Sequence, residues 1–167
     1  MLNENSPAVP TAGDERALAP AAKEILETLL QQMGIPANVE ILPGDNMGDH
    51  SFALNILGND LGILIGRGGE ALRDLEFVTR LVVAHQTGTP VKFVVDVGSY
   101  RARRETVLRE LAKRMAERVE SSNRPITLEA MPPYERRIVH LTLGEHSAVT
   151  TQSIGDGEHR RVMILPK

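Results

Sequence analysis

Three glycines within four residues, set between apolar stretches in LGILIGRGGEALRDLEFVTRLVV (61–83), constrain this chain more than any other feature. Glycine opens backbone conformations closed to other residues and has no side chain to hold another group away. Gly66, Gly68 and Ala71 loosely match the G-x-G-x-x-G/A dinucleotide fingerprint, but the context is wrong. A helix and a hairpin precede the match where the first strand of a βαβ unit belongs, and His85 and Gln86 stand where an acidic ribose ligand is needed. No Gly-Lys-Ser/Thr occurs, which excludes a Walker A loop. If LGILI ends one helix and EALRDLEFVTRLVV forms the next, Gly66-Arg67-Gly68-Gly69 is a tight helix-to-helix turn. Two uses of such a turn stay open: backbone and helix amides facing a sugar-phosphate chain beside the charge of Arg67, or a plain αα-hairpin loop.

The surrounding pattern predicts two small α+β domains. Residues 1–20, with three prolines and little periodicity, read as a flexible tail. Ile25, Leu26, Leu29, Leu30 and Met33 mark a helix stopped by Gly34 and Pro36. Runs at 37–42 and 51–57 are strands joined by the turn-forming PGDNMGDH. Leu72, Leu75, Val78, Leu81 and Val82 form a helical stripe after the glycines, and Val91–Val97 is a strand. A second unit begins near Ser99 with a long helix lined by Leu108, Leu111, Met115 and Val119 and ended before Pro125. A strand at 126–129, a helix from Pro132 to Leu143 and strands at 147–153 and 160–165 complete it. The expected division is 1–20 tail, 21–98 first domain, 99–167 second domain.

Composition narrows the chemistry. The 167 residues contain no Cys, which removes disulfides, thiolate zinc clusters and a cysteine nucleophile together. No apolar run reaches the length of a membrane span and no signal peptide is visible, so the expectation is a cytoplasmic protein without membrane insertion. Aromatic residues are 3% of the chain, which argues against a broad stacking platform for bases. The net charge of -3 hides an asymmetry: two basic against nine acidic side chains in residues 1–60, seventeen against thirteen in 61–167. A polyanion responds to the local field, so the acidic total excludes nothing.

Seven basic residues fall between Tyr100 and Arg118. Pairs such as Glu110 and Arg114 at i,i+4 fit a solvated surface helix. The cluster Arg101, Arg103, Arg104 is less balanced and is the part expected to contact phosphate, with Tyr100 packed at the domain junction or stacked on a base. In PPYERRIVHLTL, Arg136 and His140 share a helix face, from which guanidinium and imidazole can both donate to phosphate oxygens. The competing reading of His140 is a structural group satisfied beside an apolar run. No catalytic partner for it and no metal-ligand set can be assembled from the sequence, so no enzyme activity, cofactor or metal is expected.

Two resemblances connect these features. The segment around Gly66 and Gly69 resembles the GxxG core of a type II KH domain. That likeness implies a three-stranded sheet with helices, an apolar groove, and RNA contacts by Gly66, Arg67, Gly68 and Gly69. PPYERRIVH with GDGEHRRVMI resembles the small single-stranded nucleic-acid-binding domain named for its Arg-x-x-x-His signature. Arg136 and His140 match the signature, and Arg137, Arg160 and Arg161 follow its basic positions. Together they are similar to the bacterial Jag family (SpoIIIJ-associated, KhpB-like), without the Jag-N domain that many members carry. The family likeness implies single-stranded RNA as ligand, a small KH-only protein as partner, and post-transcriptional regulation linked to cell elongation, division or sporulation. The alternative is a protein-interaction scaffold that uses the same basic surface.

Overall fold

A computed structural model describes residues 12–44 and 50–167. It divides into two compact units, one ending at Tyr100 and one spanning Arg101–Lys167. The elements are α1 (Ala12–Ala17), α2 (Ala19–Gln32), β1 (Asn38–Pro43), β2 (Phe52–Leu57), α3 (Gly62–Ile65), α4 (Glu70–Thr87), β3 (Phe93–Val97), α5 (Tyr100–Ser122), β4 (Ile126–Ala130), α6 (Pro133–Leu143), β5 (Val149–Ile154) and β6 (Arg161–Pro166). Both units are α+β, the class expected from the sequence. Among the described residues no helix is long and apolar enough to cross a membrane.

The expected tail differs over its second half, while residues 1–11 lie outside the described residues. Residues 12–17 form α1, and α2 starts at Ala19 because Pro20 sits in its first turn, where a missing N–H costs nothing. The guanidinium of Arg16 donates from Nε to the Ser51 carbonyl at 3.0 Å, and the Ser51 hydroxyl donates to the Glu15 carboxylate. These bonds fasten α1 to the start of β2. The turn expected between the first two strands includes residues 45–49, which lie outside the described residues.

In the first unit the sheet order is β1-β2-β3, with β1 antiparallel and β3 parallel to β2. The parallel pair follows from the chain between β2 and β3, which crosses over through α3 and α4. Phe52, Leu54 and Ile56 alternate to one face with Phe93, Val95 and Val97, and the Phe52 and Phe93 rings stack at 5.1 Å. Leu26 and Leu30 of α2 and Leu72 and Val83 of α4 close this core.

The outer edge of β3 is sealed by side chains. Arg80 donates to the Phe93 carbonyl, with Nε at 2.7 Å, and Glu76 accepts the Val95 N–H at 2.9 Å. An unpaired strand edge would otherwise template pairing with another chain. The apolar stripe expected on α4 is rotated in the structure. Thr79 is buried and returns its hydroxyl to the Leu75 carbonyl at 2.7 Å, while Val78 and Leu81 are exposed, as is Phe77 at 62%. A satisfied threonine takes the inner position that hydrophobicity assigned to its neighbours.

The second unit is an antiparallel sheet in the order β4-β6-β5 with α5 and α6. Leu108, Ala112, Ala116 and Val119 of α5 and Val139 and Leu143 of α6 share its core with Val149, Val162 and Ile164. The two alanines, rather than Leu111 and Met115 alone, give α5 its close inner face.

Candidate nucleic-acid interface

The glycine turn is what its sequence requires. α3 ends at Gly66, whose φ of 68° and ψ of -170° lie in a region that only glycine occupies readily. A Cβ there would also come within 2.9 Å of the Ala71 amide nitrogen. Residues 67–69 make one tight turn, with Gly68 left-handed at φ 59°, and α4 begins at Glu70. A Cβ on Gly68 would meet nothing within 4 Å. No side chain caps the first amides of α4, and Arg67 beside them is exposed. These amides are donors without partners within the helix, the property that suits a helix start to phosphate. Exposed Glu70 opposes that field in the same turn. Of the apolar residues around the turn, Leu64 and Leu72 are core, whereas Ile63 is 74% exposed beside the glycines.

In the second unit the signature residues converge on β5. Arg136 and His140, one helical turn apart on α6, both reach the Ser153 hydroxyl: Arg136 Nη1 donates at 3.3 Å and His140 Nε2 lies at 2.9 Å. His140 Nδ1 lies 2.6 Å from the Thr151 hydroxyl. The two hydroxyls stand at i and i+2 of one strand, so they project from the same sheet face. Burial first, and then the charge of Arg136, lower the His140 pKa below its ordinary value of 6.5. The imidazole is therefore neutral at pH 7, one nitrogen donating and the other accepting. Both nitrogens are engaged, so a phosphate reaches His140 only by displacing a hydroxyl. The Arg136 Nε is buried without a hydrogen-bond partner among the described residues.

The remaining expected residues separate into distinct environments. Tyr100 packs against the core of the first unit. Arg103 and Arg137 are exposed. The guanidinium of Arg101 lies 5.8 Å from the centre of the Tyr134 ring. Arg160 is exposed in the turn before β6, and Arg161 donates from Nε to the His159 carbonyl at 3.0 Å. Arg104 has a buried partner. Its Nε and Nη2 donate to the two carboxylate oxygens of Glu135 at 2.9 and 3.0 Å, so the fork expected to meet phosphate holds a fully buried carboxylate. Glu135, Thr151 and Ser153 were not singled out in the sequence. The only local signal was the i,i+2 spacing of hydroxyls in VTTQSI. Among the described residues, no group of three or more His, Asp or Glu is placed to hold a metal ion.

Comparison with known proteins places the second unit in a domain family. Residues 106–166 match the domain family named for its Arg-x-x-x-His signature. Over 163 residues the chain is 34% identical to the RNA-binding protein KhpB of Clostridium symbiosum, covering 98% of this chain and 72% of that protein. It is 31% identical to the Bacillus subtilis protein of the same name over 148 residues, 87% of this chain and 69% of the relative. The protein of that name from Lactiplantibacillus plantarum is 29% identical, and the match spans 92% of this chain but 46% of the relative.

Proposed function

The chain belongs to the KhpB family of RNA-binding proteins, and from that premise we propose that it binds single-stranded RNA without catalysing a reaction on it. One surface is the Gly66–Gly69 turn, where backbone amides and Arg67 receive the sugar-phosphate chain and exposed Ile63 offers an apolar contact to a base. The first unit is thereby read as a type II KH domain. The other surface belongs to the Arg-x-x-x-His unit and uses Arg101, Arg103, Arg136 and Arg137, with Arg160 and Arg161 at its margin and His140 holding the hydroxyl pair in place. The observation that carries this reading is the convergence of Arg136 and His140 on Ser153, next to exposed Arg137.

Affinity comes mainly from phosphate contacts and base preference from contacts beside the glycine turn. A cytoplasmic location, pairing with a small KH-only protein, and a post-transcriptional role in cell elongation, division or sporulation belong to the same proposal and rest on family likeness. The test is competition: labelled single-stranded RNA is challenged with unlabelled RNA, heparin and double-stranded DNA at matched charge. RNA should displace RNA at least about tenfold better than either competitor, a difference worth about 1.4 kcal/mol. Equal displacement by heparin points instead to a surface for acidic proteins.

A further inference from the structure

Glu135 begins the buried stripe of α6, followed at i+4 and i+8 by Val139 and Leu143. Arg136 and His140 lie one position further on, rotated about 100° around the helix. An apolar residue at 135 would fill the same stripe with little directional demand. A carboxylate does more: it receives Arg104 through two near-parallel hydrogen bonds at 2.9 and 3.0 Å, a geometry that fixes angle as well as distance. The Tyr134 hydroxyl adds a third bond to Glu135 at 3.3 Å, and Arg101, three residues before Arg104 on α5, lies over the Tyr134 ring. Buried ion pairs add little net stability against apolar replacements, and their best-attested use is to specify one arrangement among several.

We infer that Arg104 and Glu135 form a positioning pair: they set the rotation of α6 so that Arg136 and His140 meet the β5 hydroxyls in the geometry that receives RNA, and Arg104 is not itself an RNA contact. This rests on the RNA-binding proposal. Arg104 lies two residues before the matched Arg-x-x-x-His domain begins, so the pair ties that domain to the basic cluster that precedes it.

The test uses the full chain and a fluorescein-labelled, random-sequence single-stranded RNA of about twelve nucleotides, within the site sizes that small RNA-binding folds occupy. Affinities are measured for the wild type, Glu135→Gln, Arg104→Lys, Arg136→Gln and the Glu135→Gln/Arg136→Gln double variant, below their melting temperatures. Glu135→Gln removes a negative charge, so charge alone would tighten RNA binding. The positioning role requires the opposite: Kd rises about tenfold in Glu135→Gln and in Arg104→Lys, which keeps its charge but loses the fork. The double variant binds no more than about twofold more weakly than Arg136→Gln, because Glu135 acts through that residue. Should Glu135→Gln unfold, Arg104→Lys in the wild-type and Arg136→Gln backgrounds gives the same readout. Unchanged or tighter binding by a folded Glu135→Gln, wild-type affinity in Arg104→Lys, or losses that multiply in the double variant would overturn the inference. A wild type that fails to prefer RNA over heparin sinks the parent proposal, and this inference with it.

Discussion

Replacing Arg104 by Met is expected to destabilise the Arg-x-x-x-His unit far more than replacing Glu135 by Met. Arg104→Met leaves a carboxylate with 0% side-chain exposure and no cation, a situation that costs about 3–5 kcal/mol. The lower end applies, since the Tyr134 hydroxyl still donates to Glu135 and the 29% exposure of the Arg104 side chain means that solvent already screens part of the attraction. Glu135→Met sets a side chain of similar length into an apolar stripe and leaves Arg104, whose side chain is already 29% exposed, within reach of water, at a cost within about 1 kcal/mol. At roughly 4–8 °C per kcal/mol for a unit of this size, a loss of 3 kcal/mol lowers Tm by about 12–24 °C. Thermal and urea unfolding of the full chain measures the difference, with the amide signals of buried Val162 and Ile164 reporting on the second unit. Equal losses in the two variants, or a loss below about 1 kcal/mol for Arg104→Met, would refute the reasoning.

Three further outcomes follow from the geometry. Gly68→Asp, at a left-handed position with open space, should weaken RNA binding severalfold while the protein stays folded; Gly66→Asp should destabilise by about 1–3 kcal/mol because of its φ,ψ and the nearby Ala71 amide, as denaturant titration beside RNA titration will show. The lowered pKa of His140 makes its contribution to stability complete above the ordinary value of 6.5 and lost as pH falls through the folded value, because the unfolded chain takes up the proton first. Urea unfolding from pH 8 to pH 5 should therefore show a drop below about pH 6.5 that His140→Gln lacks, and an identical slope in both proteins refutes the assignment. Glu76→Ala/Arg80→Ala unseals the β3 edge and should increase light scattering on heating relative to the wild type; unchanged scattering would mean that the edge is protected in another way.

What the sequence made legible was periodic or conformational. The helix after the glycines, the strand alternation of VKFVVDV and the Arg136/His140 face all repeat on a fixed period, and Gly66 announced a backbone only glycine accepts. Sequence failed where one polar partner decided the outcome. Thr79 could enter the core because the Leu75 carbonyl satisfied it, leaving Phe77 and Leu81 outside. Arg104 looked like its neighbour Arg103, and nothing local distinguishes an arginine facing solvent from one facing a carboxylate thirty-one residues away. The hydroxyls of Thr151 and Ser153 likewise acquire their role only once β5 lies against α6.

Ultraviolet crosslinking of single-stranded RNA to the full chain, with the modified residues located by mass spectrometry, tests the RNA-binding account most directly. Crosslinks are expected at Ile63–Gly69 in the first unit and at Arg101, Arg103 and Arg136–Arg137 in the second, and they should disappear on competition with unlabelled RNA. Crosslinks confined to other surfaces, or none above those formed with a protein lacking such sites, would contradict it.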